Sequence, residues 1–131
     1  MKKELKFFIP LKKIPSATHQ QKQVNFKTKS FYEPEKVKEA RSLFMSVLFD
    51  HVPEEEFEGP VRLMIKWCYK KPGVKSESWK TTKPDLDNLN KLVQDCMTQL
   101  GYWNDDAQIS SLIIEKMWTP VNGIFVGIEE L

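Results

Sequence analysis

Two short stretches hold the residues whose types and spacing could do chemistry: KPDLDNLNKLVQD at residues 83–95 and WNDDAQI at residues 103–109. Asp85 stands where a helix N-cap is wanted, and Asp87 falls in the turn that follows. At about 100° per residue, Asp87, Lys91 and Asp95 share one face of that helix, with Leu89, Val93, Cys96 and Leu100 opposite. The apolar face must pack on the rest of the protein, so the Asp87–Lys91–Asp95 stripe points away from it. Taken singly, each residue has an ordinary reading: a cap, a partner for the helix dipole, a solvated ion-pair ladder and, for Asp105-Asp106, a simple turn. Asn88 and Asn90 weaken that reading, because both are poor helix formers crowded into a helix start. A helix, a tight reversal and a strand are expected to bring Asp106 back beside the helix. Asp85, Asp87 and Asp106 would then form a cluster of hard oxygen ligands suited to Mg²⁺ or Mn²⁺. Clustered carboxylates repel one another, and a divalent ion relieves the repulsion. Such an ion binds a phosphodiester oxygen, activates a water and stabilises the leaving oxygen. Lys91 is then available to neutralise the pentavalent phosphate.

The elements that must hold these groups follow from hydrophobic periodicity. Residues 4–9 read as a short strand. Residues 10–32 carry Pro10, Pro15 and few apolar residues, and read as a long loop or loose hairpin of the kind that often binds a partner. A first helix starts near Pro34, carries Val37, Ala40, Phe44, Val47 and Leu48 at helical spacing, and stops near His51-Val52-Pro53. An acidic turn leads to the alternating strand VRLMIKWCYK at residues 61–70. A basic loop at 71–83 precedes the second helix, Leu86 to Leu100, with Gly101 as its stop. Gln108 to Trp118 and Ile124 to Glu129 are strands joined by a turn at Pro120 and Asn122-Gly123. The order strand–helix–strand–helix–strand–strand implies an α+β domain: a mixed sheet with two main helices packed on one face.

The 131 residues suit one domain spanning the whole chain, and 40% hydrophobic with 29% charged residues excludes a disordered or repetitive chain. No run approaches about 18 apolar residues, so no membrane span or membrane partner is expected. The basic start, Met1-Lys2-Lys3, leads into no apolar segment of a secretory signal. Cys68 and Cys96 read as core thiols of a reducing compartment, which places the chain in the cytoplasm. The net charge of +2 conceals an alternation: residues 1–30 sum to +7, 31–61 to −5, 62–83 to +6 and 84–131 to −6. Basic segments flanking an acidic one suit a polyanion held against carboxylates, although solvated faces would look the same. Lys12, Lys13, Lys27, Lys29, Lys80 and Lys83 are expected to track phosphates. Trp79, in the basic loop, is the best candidate for stacking on a base. His19 and His51 are isolated, and neither a Gly-rich phosphate loop nor a hydrolase triad is present.

KPDLDN-x-x-K, then Asp95, then G-x-W-x-DDAQ closely resembles the RusA family of Holliday-junction resolvases. The strong match covers residues 83–109; Ile9-Pro10 and FYEPEKVKEAR (31–41) resemble the family's first strand, loop and helix. The resemblance implies a small homodimeric, metal-dependent endodeoxyribonuclease, often carried by phages and prophages, that nicks four-way junctions in pairs during recombination and repair. It implies that Asp85, Asp87 and Asp106 ligate Mg²⁺, that Lys91 is the catalytic lysine, and that Asp95 and Asp105, with Asn88, have supporting places. Residues 10–32 depart from the family, being Lys- and Gln-rich where many relatives carry Arg-rich DNA contacts. Two other classes compete: a non-catalytic branched-DNA binding protein of the same fold, and a dimeric module whose acidic face binds a basic protein. The intact acidic set argues against the first, and the lysine-rich loops against the second.

Overall fold

The computed structural model describes residues 2–15, 23–25, 30–32, 35–84 and 86–131; for residues 23–25, 30–32 and 88 the description is of the backbone alone. The chain runs β1 (Glu4–Pro10), β2 (Gln23–Asn25), β3 (Ser30–Tyr32), α1 (Glu35–Phe49), β4 (Val61–Lys70), β5 (Ser78–Trp79), α2 (Leu86–Leu100), β6 (Ile109–Thr119) and β7 (Gly123–Glu130). A 3₁₀ turn, Asp106–Gln108, leads into β6. The main sheet has the order β1-β7-β4-β6-β5. Only β4 and β6 are parallel; the other neighbours in this sheet are antiparallel. Parallel neighbours need a long crossover, and α2 is that crossover.

The alternation of β4 decides which face is covered. Val61, Leu63, Ile65 and Trp67 are all at most 1% exposed. Across the ladder they meet Ile128, Val126 and Ile124 of β7, the pairs being Leu63–Ile128, Ile65–Val126 and Trp67–Ile124. Both helices supply the other side of this core: Val37, Ala40, Phe44 and Leu48 from α1, and Leu89, Leu92, Val93, Cys96 and Met97 from α2. Full burial of such a side chain stabilises by about 1.5–3 kcal/mol over leaving it exposed, so these stripes dock the helices. The result is an α+β fold with a mixed sheet and its helices on one face. Both cysteines are buried and neither forms a disulfide.

Helix ends are closed as the composition suggests. Gly101, at φ 89°, follows α2; its N–H donates to the Thr98 carbonyl and the Tyr102 N–H to the Met97 carbonyl. Only a residue without a Cβ adopts that left-handed backbone without strain. Tyr102 Oη then donates to the Leu48 carbonyl at 2.5 Å, tying the end of α1 to the end of α2. Within residues 10–32 the antiparallel β2–β3 pair, separate from the main sheet, matches the loose-hairpin reading, whereas the short β5 that the basic loop contributes to the sheet edge had no clear signal in the sequence. Pro34, expected in the first turn of α1, lies outside the described residues, and the helix begins at Glu35.

Candidate active site

The start of α2 is held over β4 and β6 by three hydrogen bonds. Lys116 Nζ donates to the carbonyl oxygens of Thr82 at 2.6 Å and Pro84 at 2.9 Å. Trp67 Nε1 donates to Asn90 Oδ1 at 3.2 Å, and Asn90 Nδ2 donates to Gln94 Oε1 at 2.8 Å. Asn90 is fully buried. Its poor helix propensity therefore has a packing reason: it satisfies an indole N–H that burial would otherwise leave unpaired. The Lys83–Pro84 peptide is cis. Asp85 itself lies outside the described residues. Asp87 and Lys91 are exposed on α2, and Asp95, half-buried, continues the same stripe. Asp95 is eight residues beyond Asp87, about 12 Å along the axis, too far to share an ion with it. The side chain of Asn88 is outside the description. Lys116 was not singled out in the sequence, where its only signal is a lone cation in an apolar strand.

Basic segments gather at this same end of the sheet. Asn122, in the turn between β6 and β7, accepts from the Lys70 N–H through Oδ1 at 2.7 Å and donates to the Lys12 carbonyl through Nδ2 at 3.1 Å. Its own carbonyl accepts from the Leu11 N–H. Lys12, Lys13, Lys70, Lys71, Lys75 and Lys83 are exposed here. Lys27 and Lys29 lie outside the described residues. Lys80 departs from expectation: it is only 8% exposed, donates to Thr82 Oγ1 at 2.6 Å, and sits 4.0 Å from the Trp118 ring centroid. Burial, helped by Lys116 and Lys71, lowers its pKa below the ordinary lysine value. As placed, Lys80 ties the loop together through Thr82 and the Trp118 ring. Its neighbour Trp79 is 66% exposed and remains available for stacking.

The second acidic stretch lies at the opposite end. Asp105 caps the 3₁₀ turn: its Oδ1 accepts from the Ala107 N–H at 2.9 Å, and Gln108 Oε1 accepts from the Asp105 N–H at 3.0 Å. Gln108 Nε2 donates to the carbonyls of Phe57 and Gly59, which precede β4. Asp105 is thus committed to the turn, whereas Asp106 presents its carboxylate to solvent. Because β4 and β6 are parallel, Asp106 sits where the strands begin and Asp87 sits where they end. Asp87 is the second residue of the 15-residue α2 and Asp106 follows its far end, so about 20 Å of helix separates them. The expected return of Asp106 beside the helix start does not occur within one chain. Among the described residues, no three His, Cys, Asp or Glu side chains converge closely enough to hold a metal ion. The donor chemistry suits Mg²⁺, but one chain's described carboxylates do not assemble a complete site.

A basic sheet end surrounding an acid-bearing helix start is the plan of a nucleic-acid hydrolase. The comparisons give that class its family. The model described as Endodeoxyribonuclease RusA matches residues 13–129, and the chain belongs to this family. It is 40% identical over 87 residues to the crossover junction endodeoxyribonuclease rusA of Lactococcus phage r1t, spanning 64% of this chain and 66% of the phage protein. It is 32% identical over 111 residues to the uncharacterized protein YqaN of Bacillus subtilis (strain 168), spanning 76% of this chain and 78% of that protein. No helix among the described residues is long and apolar enough to cross a membrane.

Proposed function

We propose that this chain is a crossover junction endodeoxyribonuclease that resolves Holliday junctions by paired symmetric nicks, acting inside the cell in DNA recombination and repair of phage or prophage origin. The observation that carries this reading is the acid-bearing start of α2 at the sheet end that carries the exposed lysines, in a chain of the RusA family. The lysines draw in the polyanion, and the carboxylates repel it unless a cation intervenes. A non-catalytic junction binder would gain nothing from that repulsion.

In this reading Asp85, Asp87 and Asp106 hold Mg²⁺, with Mn²⁺ as a substitute. The ion supplies Lewis-acid stabilisation and a more acidic water. Lys91, one helical turn beyond Asp87 on the same face, faces the phosphate and neutralises charge as it builds. Lys116 fixes the carbonyls on either side of Lys83, and so the backbone leading to Asp85. Lys12, Lys13 and Lys83 run along the phosphates, and Trp79 offers a face to an unstacked base. The functional unit is a homodimer. Two sites related by a twofold axis cut two strands symmetrically, and a second chain can supply the Asp106 that the first holds at its far end.

The test is incubation of a synthetic four-way junction and a linear duplex of the same sequence with the protein, in Mg²⁺ and in EDTA. Paired, ligatable nicks in the junction alone, abolished by EDTA, are expected. Binding to the junction with no cleavage in either Mg²⁺ or Mn²⁺ would overturn the catalytic reading.

A further inference from the structure

Of the four tryptophans, Trp67 and Trp103 are each 1% exposed, and Trp118 is half-buried beneath Lys71 and Lys80. Trp79 is 66% exposed. The strand that carries it sets the difference. In β5, Trp79 stands opposite Met117 and Ser78 opposite Trp118. The Lys80 N–H then donates to the Lys116 carbonyl at 3.2 Å. Successive side chains of a strand point to opposite faces. The Lys80 ammonium lies 5.1 Å from the Tyr69 ring centroid, and Tyr69 packs against the core beneath the helices. Trp79 therefore projects from the other face, at the outer edge of the sheet, where neither helix packs.

Its mount is rigid. Pairing with β6 holds Trp79, Thr82 Oγ1 accepts from the Lys80 ammonium, and Lys116 holds the carbonyls of Thr82 and Pro84. The path from Trp79 across to Met117, along to Lys116 and out to the Pro84 carbonyl is at most about 20 Å. That is less than one turn of duplex, about 34 Å. A ring so placed adds little to the core, and a pre-ordered aromatic loses little entropy when something binds it.

We infer that Trp79 stacks on a base pair bordering the branch point and so sets the preference for branched over linear DNA. The inference rests on the junction-resolving reading above and deepens it. The acids and lysines there account for cutting and for phosphate binding, and neither tells a junction from a duplex. In a linear duplex every base pair is covered above and below, and freeing a π-face costs unstacking. At an open four-way junction the base pairs at the crossover each lack a neighbour on one side. An aromatic ring meets any of them alike, because every base has a π-face, so the contact reads the break in stacking rather than the sequence. The placement suits this role. The acids of α2 lie on the helix-covered face and Trp79 on the other, so DNA that meets both passes around the sheet edge, as diverging arms do and a straight duplex does not.

Intrinsic fluorescence tests the inference, because Trp79 supplies most of the emission that acrylamide can quench. In EDTA, quenching of the wild type should fall when a synthetic four-way junction binds and stay unchanged when a linear duplex of the same arms binds; Trp79→Phe should remove the response. In binding titrations Trp79→Ala should weaken junction binding by about tenfold, equivalent to about 1.4 kcal/mol. Duplex binding and the salt slope should be unaltered, since no phosphate contact is lost. Trp79→Phe, which keeps a ring, should recover most of that affinity, and both variants should match the wild type in circular dichroism. Unchanged junction affinity in Trp79→Ala, an equal loss on junction and duplex, or a shallower salt slope would overturn the inference. Emission already protected in the wild type without DNA would also overturn it, since something else would then cover the ring. None of these results touches the resolvase reading while the wild type prefers the junction; a wild type that binds junction and duplex alike would refute that reading itself.

Discussion

Lys116→Met isolates the contact that holds the start of α2. The substitution keeps an apolar stem of similar length but removes both hydrogen bonds to the Thr82 and Pro84 carbonyls. Charged hydrogen bonds contribute about 1.5–3 kcal/mol each when well buried. These lie at a partly exposed surface, so the loss is discounted toward the surface ion-pair range, to about 1–2 kcal/mol in total. For a domain of this size that lowers Tm by roughly 4–8 °C. The larger effect should be on turnover. The two carbonyls flank Lys83 and lead directly to Asp85, and a displacement of about 1 Å in a reacting group can cost on the order of 10²-fold. The assay is junction cleavage under single-turnover conditions across a Mg²⁺ series, beside thermal denaturation and junction binding in EDTA. Cleavage should fall at least about tenfold at limiting Mg²⁺, with binding in EDTA unchanged. Lys116→Arg, which can still donate to both carbonyls, should recover most of the loss. Wild-type cleavage at limiting Mg²⁺ together with a lowered Tm would show that the clamp only stabilises the fold. An unchanged Tm would show that the two bonds contribute nothing.

The split of the carboxylates makes a mixing experiment decisive. Asp87→Asn and Asp106→Asn should each abolish cleavage and leave junction binding intact or tighter, because phosphate repulsion falls. Mixed and allowed to exchange, the two inactive variants should recover measurable cleavage, since one site of the heterodimer has both carboxylates intact; no recovery in a demonstrated heterodimer would place both on the same chain's ion. Lys80 and Lys83 of the basic loop should behave differently in a salt titration of binding. Lys83→Ala should make the log–log slope shallower by about 0.9 per lost phosphate contact, whereas Lys80→Ala should lower thermal stability with the slope unchanged. A shallower slope for Lys80→Ala would put its ammonium on the DNA path after all.

The elements were readable from the chain because each needed only local information. The alternation in VRLMIKWCYK, the stripe Leu89, Val93 and Cys96, and Gly101 after the last turn of α2 all recur in the folded protein. The same local rules made KPDLDNLN stand out, because two asparagines crowded beside two acids near a helix start are a poor choice for stability alone. One of those oddities proved to be tertiary: Asn90 is retained by Trp67, which lies 23 residues away in sequence. Residue type marked Lys80 as a phosphate contact, yet Trp118 and Tyr69 enclose it.

What the sequence determined by itself was therefore composition and local pattern: an α+β chain, a basic loop, and acids of the right kind for a hard cation. Only the tertiary structure decided where those acids stand relative to one another. The reason is the parallel pairing of β4 and β6. A helix followed by a strand can return a residue to the helix's beginning or leave it at the end. Parallel pairing sends the chain back along α2 before β6 begins, which leaves Asp106 a helix length from Asp87. That direction is set by long-range hydrogen bonding across the sheet, and no spacing within residues 83–109 encodes it.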